Sequence, residues 1–494
     1  MTNPIRNNLL KTIIAALLSF ALTACGFSGD EDHIRVTVID SEAAKINPVG
    51  TRLNYASATM RAAMAKGLVG LDEEGRVVPA LAARWIVTDD GLSYIFRLTE
   101  AKWDDGRQIT AERIARLLRE RFDELDKSRL ENDLGAIDEV VSMTGRVIEI
   151  RLNAPNPNFL QLMAQPEMGL FRAGHGAGPM RLIDERGGIK LGIFDEPSAD
   201  DEEAAKDTRW VMLRTEPAAK AIARFDAGHS DVILNGRFYQ LPLVDQAGID
   251  ANALRLDPIA GLFGLRFIAA DGFWTVPKNR EILSMAIDRP ALLTSFPRVS
   301  AWQSRQKIIP EALDVEGLNT RPDWSRMTLE DRRIFAQDHV RNWKASEGPV
   351  KPLVIALPDA AGADILFLRI RSDLRRVGLD ARKVGLYDEA DARLIDEIAP
   401  YDSARWFLSR LTCAQTPVCL NDADAKIEEA DAATNLQIKA RLYAEAEQML
   451  VQHYNYIPLG VPVRWSLARP GQRGFAVNPR GWHPLNTLVG IPIS

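Results

Sequence analysis

The chain has 494 residues and a formal net charge of −6, from 61 lysines and arginines against 67 aspartates and glutamates. A mildly acidic chain argues against nucleic acid as a partner, because neutralising phosphates requires clustered positive charge. The length exceeds what one hydrophobic core usually supports, so we expect two or three lobes.

The first 24 residues have the features of an export signal. A positively charged start is followed by an apolar run at 12–22 that is too short to span a bilayer. The sequence L-T-A-C at 22–25 resembles a bacterial lipobox, in which Cys25 would be lipidated and become the mature N-terminus. An ordinary signal peptide that happens to contain a cysteine is the alternative. No later apolar run approaches the roughly 20 residues of a spanning helix, so a lipid would be the only membrane attachment.

Hydrophobic patterns divide the first half of the chain into short elements. Residues 92–98 alternate apolar and polar side chains, which predicts a strand with one buried face. Thr110 stands where a helix N-cap is expected, and the apolar residues that follow it recur on one helical face. The predicted strands are 34–39, 92–98, 147–152 and 230–234, and the predicted helices are 51–66, 110–125, 159–165 and 216–228.

Strands and helices alternate through much of the second half. This β-α-β order predicts an α/β lobe with a mainly parallel core sheet. The helix at 363–377 is predicted to bury one side through Ile365, Leu368 and Leu374. The predicted strands are 261–269, 353–357, 380–384 and 456–465, and the predicted helices are 277–293, 363–377 and 436–453.

Several local patterns were weighed as chemical sites. The glycines of 174–178 lack the Lys-Ser/Thr of a phosphate-binding loop, so we expect a glycine turn between lobes. The acidic run at 195–207 does not fit EF-hand spacing, so we expect an exposed loop. The six histidines form no HExxH, and residues 228–232 lack the second glycine of a nucleophile elbow. We therefore predict no enzyme, no metal site and no cofactor.

Two cysteines lie close together near the C-terminal third. Cys413 and Cys419 are separated by a short segment that contains a proline. A zinc site would need further cysteine or histidine ligands nearby, and the sequence offers none. We expect a disulfide between them, which an oxidising compartment permits.

The order of motifs from Met64 to Thr110 carries the strongest signal. This stretch contains P-A-L-A-A-R-W, D-G-L-S-Y-I-F-R-L and W-D-D-G. It resembles the family 5 extracellular solute-binding proteins, the oligopeptide- and dipeptide-binding components of ABC importers. G-A-G-P-M-R-L at 176–182 and A-I-D-R at 286–289 continue the resemblance. It implies an α/β, two-lobed periplasmic binding protein fold (type II, large, cluster C-like) with an extra N-terminal subdomain and a hinge between the lobes.

The resemblance also implies a discontinuous arrangement of domains. A lipoprotein signal peptide at 1–24 and a tether at 25–32 would precede the folded part. Both ends of that part would lie in the same lobe. Lobe I would combine 33–53, 170–265 and 455–494, the extra subdomain would be 54–169, and lobe II would be 266–454.

Two segments are implied to border the ligand. In the family the segment after the first strand lines the cleft, which makes Asn47 a candidate edge of the site; a simple Asn-Pro turn there is the alternative. Peptide-binding members also carry W-x-A-D-Y-P-D-P, whose aspartate pairs with the amino terminus of the ligand. Here Trp406 is present, but Arg410 and Leu411 stand near the expected aspartate. This argues against capture of a peptide through that ammonium–carboxylate pair.

Positive charge surrounds the tryptophans instead. Arg405 and Arg410 flank Trp406, and Arg464 precedes Trp465. Guanidinium groups recognise carboxylates or phosphates in a bidentate manner, and tryptophan offers a stacking face. We hypothesise that these residues bind an acidic or carboxylate-bearing solute or a modified peptide. The alternative is that the arginines bridge the lobes or face solvent.

The resemblance implies a monomeric, lipid-anchored binding protein of the periplasm. It would capture a peptide or peptide-like solute between two lobes and deliver it to an ABC permease in the inner membrane. A first alternative is a lipoprotein of this fold that acts on envelope processes through a protein partner and does not transport. A hydrolase whose site is assembled from distant residues is the second alternative.

Overall fold

A computed structural model describes residues 33–41, 44–125, 130–193, 209–299, 302–311, 313 and 320–490. The predicted signal peptide, the predicted lipidation site Cys25 and the predicted tether lie outside the described residues, as does the acidic run at 195–207.

Eighteen strands are formed within the described residues, numbered here in chain order. They are His33–Ile39 (β1), Val69–Leu71 (β2), Val77–Pro79 (β3), Ala82–Val87 (β4), Ser93–Leu98 (β5), Ile137–Thr144 (β6), Val147–Leu152 (β7), Met180–Asp184 (β8), Ile189–Ile193 (β9), Trp210–Glu216 (β10), Val232–Arg237 (β11), Leu254–Leu256 (β12), Gly261–Phe267 (β13), Leu353–Leu357 (β14), Ala381–Gly385 (β15), Ala392–Ile398 (β16), Tyr456–Gly460 (β17) and Arg464–Ala468 (β18).

The α-helices of the described chain are numbered in the same way. They are Tyr55–Met64 (α1), Ala111–Leu125 (α2), Glu131–Leu134 (α3), Phe159–Met163 (α4), Ala218–Asp226 (α5), Leu241–Gln246 (α6), Pro277–Ala286 (α7), Arg289–Leu293 (α8), Leu329–Ser346 (α9), Ala361–Arg376 (α10), Ala404–Ser409 (α11), Asn421–Ala432 (α12), Leu436–His453 (α13) and Leu485–Leu488 (α14). Among these described helices, none is both long enough and apolar enough to cross a membrane.

The first and last strands of the described chain lie in the same seven-stranded sheet, which we call sheet I. Its order is β12-β18-β11-β1-β10-β9-β8. Strand β1 is parallel to both β10 and β11 and buries Val36 and Val38. The strand predicted at 34–39 is therefore confirmed. Because β1 and β18 share this sheet, both ends of the described chain meet in one lobe.

A separate antiparallel sheet, which we call the N-terminal sheet, is built from the motif-rich stretch. Its order is β4-β5-β7-β6, with the hairpin β2-β3 beside it. The predicted alternation in β5 is confirmed, since Tyr94, Phe96 and Leu98 are buried. Helix α2 covers the sheet with an apolar stripe that includes the buried Ile114 and Leu118.

Five strands form the third large sheet, which we call sheet II. Its order is β15-β14-β16-β13-β17. Strand β14 is parallel to β15 and β16, but β13 is antiparallel to both of its neighbours. The prediction of a mainly parallel sheet is thus wrong for half of the pairings. Strand β13 alone runs opposite to the other four strands; it enters sheet II from sheet I, and β17 leads back to sheet I.

Two predicted helices differ from the structure. The helix predicted at 277–293 is broken between Ala286 and Arg289, where the Asp288 side chain caps the backbone N–H of Ala291. Pro290 has no backbone N–H to continue the first helix. In α10, Leu368 was expected on the buried side but is 59% exposed. The helix predicted at 436–453 is confirmed at both ends.

Two chain segments cross between sheets I and II. Residues 257–260 connect β12 to β13, and residues 461–463 connect β17 back to β18. The single strand predicted at 456–465 is wrong, because β17 pairs with β13 whereas β18 pairs with β11. Strands β13 and β17 both lie in sheet II, so the lobe boundaries predicted at 265 and 455 do not coincide with the change of sheet. The other predicted domain boundaries stay predictions.

Candidate functional site

Five polar residues lie close together where the crossings join sheet I to sheet II. We call them the hinge cluster. Two of them come from the sheet I side, at the end of β11 and just after it, and two come from sheet II. The fifth opens β18. The members are Arg237, Tyr239, Tyr387, Asp396 and Arg464.

Local backbone features place Arg237 at the end of β11. Asn235 adopts the left-handed conformation with φ 68°, and its side-chain amide donates to the carbonyl of Ile39 at 2.8 Å. At the next position a Cβ would lie 2.1 Å from the indole ring of Trp465, so only glycine fits there. The indole N–H of Trp465 donates to the carbonyl of Arg237 at 2.8 Å. The guanidinium of Arg237 therefore extends from a fixed backbone.

Arg464 and Asp396 form an ion pair across the hinge. The Nη1 atom of Arg464 lies 2.7 Å from Oδ1 of Asp396, and Nη2 donates to the Asp396 carbonyl at 2.9 Å. Their side chains are only 6% and 7% exposed. Burial lowers the pKa of Arg464, and the Asp396 carboxylate partly opposes this shift. The charge of Arg464, predicted to bind solute, is thus neutralised within the protein.

Arg237 approaches the other oxygen of the same carboxylate. Its Nη1 atom lies 3.8 Å from Oδ2 of Asp396, which is too far for a hydrogen bond. Among the described residues Oδ2 is buried and has no hydrogen-bond partner. The Arg237 side chain is 37% exposed. The cluster therefore contains two guanidinium groups for one carboxylate, and one carboxylate oxygen remains without a donor.

Two tyrosines complete the hinge cluster. Burial raises the pKa of Tyr239, which lies after β11. Tyr387 lies after β15 in sheet II and is 88% exposed. An exposed aromatic ring beside a partly buried polar cluster is a surface that can cover a bound solute.

Arg405 and Trp406 are placed in the interior between lobe II and the N-terminal sheet. The Nε atom of Arg405 donates to Asp431 at 2.8 Å, and its Nη1 atom lies 3.5 Å from Asp133. Burial acts to lower the pKa of Arg405, but the two carboxylates outweigh it and raise this pKa. Trp406 is buried. The contacts of Arg405 join lobe II to the N-terminal part of the chain. The ligand role predicted for Arg405 and Trp406 stays a prediction.

Arg410 lies beside Trp406 at the end of α11. Its guanidinium carbon is 5.2 Å from the centroid of the indole ring, within the range of a cation–π contact. Its Nε atom lies 3.5 Å from the carboxylate of Glu397, which is 49% exposed. Its carbonyl accepts a hydrogen bond from Arg266. The structure thus shows the predicted arginine–tryptophan pair, but places it outside the hinge cluster.

The remaining predicted residues lie elsewhere. Asn47 is exposed in the segment after β1, where its side chain accepts from the backbone of Val49 at 3.2 Å, as the turn alternative requires. Cys413 and Cys419 are joined by a disulfide in the segment between α11 and α12. Among the described residues, no group of three or more metal-binding side chains is arranged to hold an ion.

The residues at the end of β16 also share letters with the family motif W-x-A-D-Y-P-D-P, which the sequence analysis matched to the run that contains Trp406 and Arg410. Residues 397–401 read E-I-A-P-Y against W-x-A-D-Y, so Ala399 and Tyr401 keep two motif residues and Pro400 takes the place of the aspartate. The carbonyl of Pro400 accepts a hydrogen bond from Gln165 at 2.9 Å.

Sequence reasoning missed Arg237, Tyr239, Tyr387 and Asp396. The sequence does contain one signal for Asp396. Strand β16 reads A-R-L-I-D-E-I, and Asp396 falls on the same side as Leu394, which is buried. A carboxylate on the buried side of a strand requires a partner and often marks a functional site.

The geometry defines a class of protein. Two α/β lobes are joined by two chain crossings, and a polar cluster lies between them at the hinge. This is the two-lobed architecture of solute-binding proteins, in which a ligand is held between lobes that close around it.

Comparisons with known proteins show which family and which structures this chain is similar to. Residues 76–301 match the family described as bacterial extracellular solute-binding proteins, family 5. The glutathione-binding protein GsiB of Escherichia coli O1:K1 is 25% identical over 312 residues, which cover 57% of each protein. The murein tripeptide binding protein MppA of Escherichia coli has a similar structure, with a TM-score of 0.74 and 18% identity over 93% of this chain and 98% of that one. OppA of Haemophilus influenzae, solved in complex with RPPGFSPFR, is also similar in structure, with a TM-score of 0.72 and 17% identity. The match covers 93% of this chain and 98% of that one.

Residues 76–301 are therefore similar to the family 5 solute-binding proteins, as the sequence predicts, and the predicted two-lobed fold is confirmed. The chain spans just over half the length of the GsiB protein that it matches. The relatives named above are binding proteins by their descriptions.

Proposed function

We propose that this chain is the solute-binding component of an ABC import system and captures a peptide or peptide-like solute between its two lobes. The observation that carries the proposal is the hinge, where two crossings join sheets I and II around a polar cluster. Lobes connected in this way open and close as rigid bodies. A solute that contacts both lobes favours the closed arrangement in proportion to its differential affinity.

The names of the similar proteins support this class of solute. They describe binding of glutathione, of murein tripeptide and of a nine-residue peptide. We propose that this protein acts as a monomer in the periplasm, releases its solute unaltered and delivers it to an ABC permease in the inner membrane.

An anionic solute is a further part of the proposal. It is supported by three guanidinium groups that lie next to tryptophans in the sequence, those of Arg405, Arg410 and Arg464, because guanidinium groups bind carboxylates and phosphates in a bidentate manner. Within the protein Arg405 pairs with Asp431 and Arg464 with Asp396, so an anion must compete with these carboxylates. Asn47 stays a proposed edge of the cleft.

We also propose a lipid on Cys25, because the sequence at 22–25 has lipobox character. Mass spectrometry of the protein from the membrane fraction of its host should show a diacylglycerol-modified N-terminal cysteine. The Cys25→Ser variant should appear in the soluble fraction. A mature N-terminus at any residue other than Cys25 would contradict the proposed lipidation.

Thermal unfolding in the presence of a solute panel tests the main proposal. The panel contains glutathione, murein tripeptide and alanine peptides of increasing length, with maltose as the non-peptide control. A ligand at about 100 times its Kd should stabilise the folded protein by about 2.7 kcal/mol. If no peptide stabilises the protein and an envelope enzyme co-purifies with it, the role in transport is wrong and the partner-binding alternative is favoured.

A further inference from the structure

Two arginines face each other across neighbouring strands of sheet II. Arg266 of β13 and Arg393 of β16 are directly opposite in the antiparallel register. The Cβ atoms of such a pair are about 4.5–5.5 Å apart, and like charges placed there destabilise a sheet. Arg410 adds a third guanidinium, and its backbone carbonyl accepts a hydrogen bond from Nη1 of Arg266 at 2.9 Å. We call Arg266, Arg393 and Arg410 the arginine patch.

A single carboxylate opposes the charges of the arginine patch. Burial lowers the pKa of Arg266; the Glu397 carboxylate opposes this shift, and the charges of Arg393 and Arg410 add to it. Among the described groups that act on Arg266, Glu397 supplies the only negative charge, and its carboxylate lies 3.5 Å from Nε of Arg410. Three guanidinium groups therefore share one carboxylate, so two positive charges are left on this face of sheet II.

The acidic residues next to Arg393 in the chain do not pair with its guanidinium. Oδ2 of Asp388 accepts from the backbone N–H of Gly385 at 2.9 Å, and Oδ2 of Asp391 accepts from that of Val354 at 2.8 Å. Arg393 donates from Nη2 to the backbone carbonyl of Asp388 at 3.1 Å, a contact with a neutral acceptor. In the part of the chain that the structure describes, Arg393 thus has no carboxylate partner.

Donors of the arginine patch reach solvent. Nη2 of Arg266 and Nη1 of Arg393 have no hydrogen-bond partner among the described residues, and neither atom is buried. A guanidinium presents its N–H donors in a planar fork that matches phosphate. An anion can therefore bind to these Nη atoms from the surface, without entering a closed cavity.

The arginine patch lies away from the hinge. Strand β13 enters sheet II at Gly261, directly after the crossing at 257–260, and Gly261 is paired with Ile398 at the end of β16. Arg266 lies five residues farther along β13. An antiparallel strand rises about 3.4 Å per residue, so about 17 Å separates Arg266 from the start of the strand. The patch is therefore distinct from the hinge cluster and from the space between the lobes.

We propose that the arginine patch is a second binding site, on lobe II, and that it binds a phosphate group. A phosphate monoester carries a charge of about −1.5 to −2 at pH 7 and three acceptor oxygens. One such group can bridge Arg266 and Arg393 and offset the two positive charges. The phosphate belongs either to a soluble phosphoryl compound or to a phospholipid head group, and its chemistry at the arginines is the same. This site does not depend on the proposed transport function.

Isothermal titration calorimetry with inorganic phosphate tests the proposal on the full chain. The wild-type protein should give saturable binding that potassium chloride at the same ionic strength does not reproduce. Arg393→Gln should weaken phosphate binding by about tenfold or more. This substitution leaves the hydrogen bond between Arg266 and Arg410 in place. Thermal unfolding verifies that the variant is folded.

The matched control is a second pair of opposite arginines. Arg84 of β4 and Arg97 of β5 are directly opposite in the N-terminal sheet, and both are exposed. Water screens such exposed charges, so they have little need of a bridging anion. Arg84→Gln should therefore bind phosphate like the wild type.

Vesicle sedimentation distinguishes the two sources of phosphate. Phosphatidylcholine vesicles with and without phosphatidic acid are compared, and the protein carries Cys25→Ser so that the proposed lipid does not contribute. Sedimentation that requires phosphatidic acid and is lost in the additional variant Arg393→Gln supports a lipid head group. Binding of inorganic phosphate without such sedimentation supports a soluble phosphoryl compound.

Two results would overturn the inference. One is the absence of binding that depends on Arg393 with both inorganic phosphate and phosphatidic acid vesicles. The other is an equal loss of phosphate binding in folded Arg84→Gln and Arg393→Gln, which would show a general effect of net charge. Neither result affects the proposed binding of peptides between the lobes, because the peptide panel measures that function separately.

Discussion

Buried arginines cross-link the backbone of this protein. Arg289 donates to the carbonyls of Pro458 at 2.7 Å and Ser284 at 2.9 Å. Arg61 donates to the carbonyls of Gly169 and Pro48, each at 2.9 Å. Burial lowers the pKa of Arg289 to about 9, which is still above neutrality. Each guanidinium therefore stays charged and satisfies several carbonyls at once, which a lysine could not do with the same geometry.

His453 provides a pH-dependent prediction at this scale. Burial, with the nearby Arg280 charge, lowers its pKa from 6.5 to about 4. Between these values the unfolded chain binds a proton that the folded chain does not, so this residue makes stability fall as pH falls from 6.5 towards 4. Urea unfolding of His453→Gln should show a weaker loss over this range than the wild type.

The matched control for this measurement is His229→Gln. His229 is exposed at the turn before β11. Its substitution should leave the pH dependence of the unfolding free energy unchanged. The prediction would be contradicted if the free energy of unfolding varied with pH in the same way in the wild type and in His453→Gln.

At the scale of elements, one glycine segment determines how β8 reaches sheet I. A Cβ at Gly176 would lie 1.9 Å from the carbonyl oxygen of Met64, and one at Gly178 would lie 2.3 Å from its carbonyl carbon. The N–H of Gly178 donates to the carbonyl of Met64 at 2.9 Å. The segment therefore packs against the C-terminal end of α1, and close backbone approach explains these glycines.

We expect Gly178→Ala to destabilise the protein. The added methyl group meets backbone atoms that cannot move aside alone, and overpacking of this kind costs about 1–3 kcal/mol. Gly145→Ala is the control, because a Cβ there meets no atom within 4 Å, and its effect should stay within about 0.5 kcal/mol. Urea unfolding measures both changes. An equal effect of the two substitutions would show that close approach is not the reason for glycine at 178.

For the molecule as a whole, a second set of contacts joins the lobes beside the crossing at 257–260. We call it the latch, formed by Gln161, Gln165, Asp402 and Arg480. Arg480 donates to both carboxylate oxygens of Asp402, at 2.9 and 2.6 Å, and Gln161 accepts from the Asp402 backbone at 2.8 Å. Gln165 donates to the carbonyl of Pro400. These contacts connect lobe II to both other parts of the chain in the described arrangement.

Breaking the latch should shift the protein towards an open form. Burial acts to raise the pKa of Asp402, but Arg480 and Gln161 outweigh it and lower this pKa, so the pair is charged at neutral pH. Hydrogen bonds to charged groups contribute about 1.5–3 kcal/mol, enough to change an equilibrium by about tenfold or more. Arg480→Ala should therefore increase the radius of gyration measured by small-angle X-ray scattering.

Arg441→Ala is the control for the latch. It removes an ion pair with Glu445 inside α13 and touches one lobe only. The radius of gyration of this variant should equal that of the wild type. The latch would have no role in closure if Arg480→Ala gave the same value as well.

The sequence by itself determined the elements that depend on local patterns. A β-rich run at 34–39 predicted β1, and hydrophobic patterns predicted the alternating β5 and the helix at 436–453, because buried faces repeat with the period of the element. The order of motifs in 64–110 was enough to predict the family and the two-lobed fold. The broken helix at Pro290 was within reach of the same reasoning, because proline has no backbone N–H to donate.

Only the tertiary structure decided where the crossings lie and which charges are neutralised. The run at 456–463 is apolar throughout, and the fold decides that β17 pairs with β13 whereas β18 pairs with β11. Arg464 and Arg237 share Asp396, which lies 68 and 159 residues away along the chain. Coulomb energy depends on distance in space, so the sequence shows which charges exist, and the fold decides which of them meet a partner and which remain for a solute.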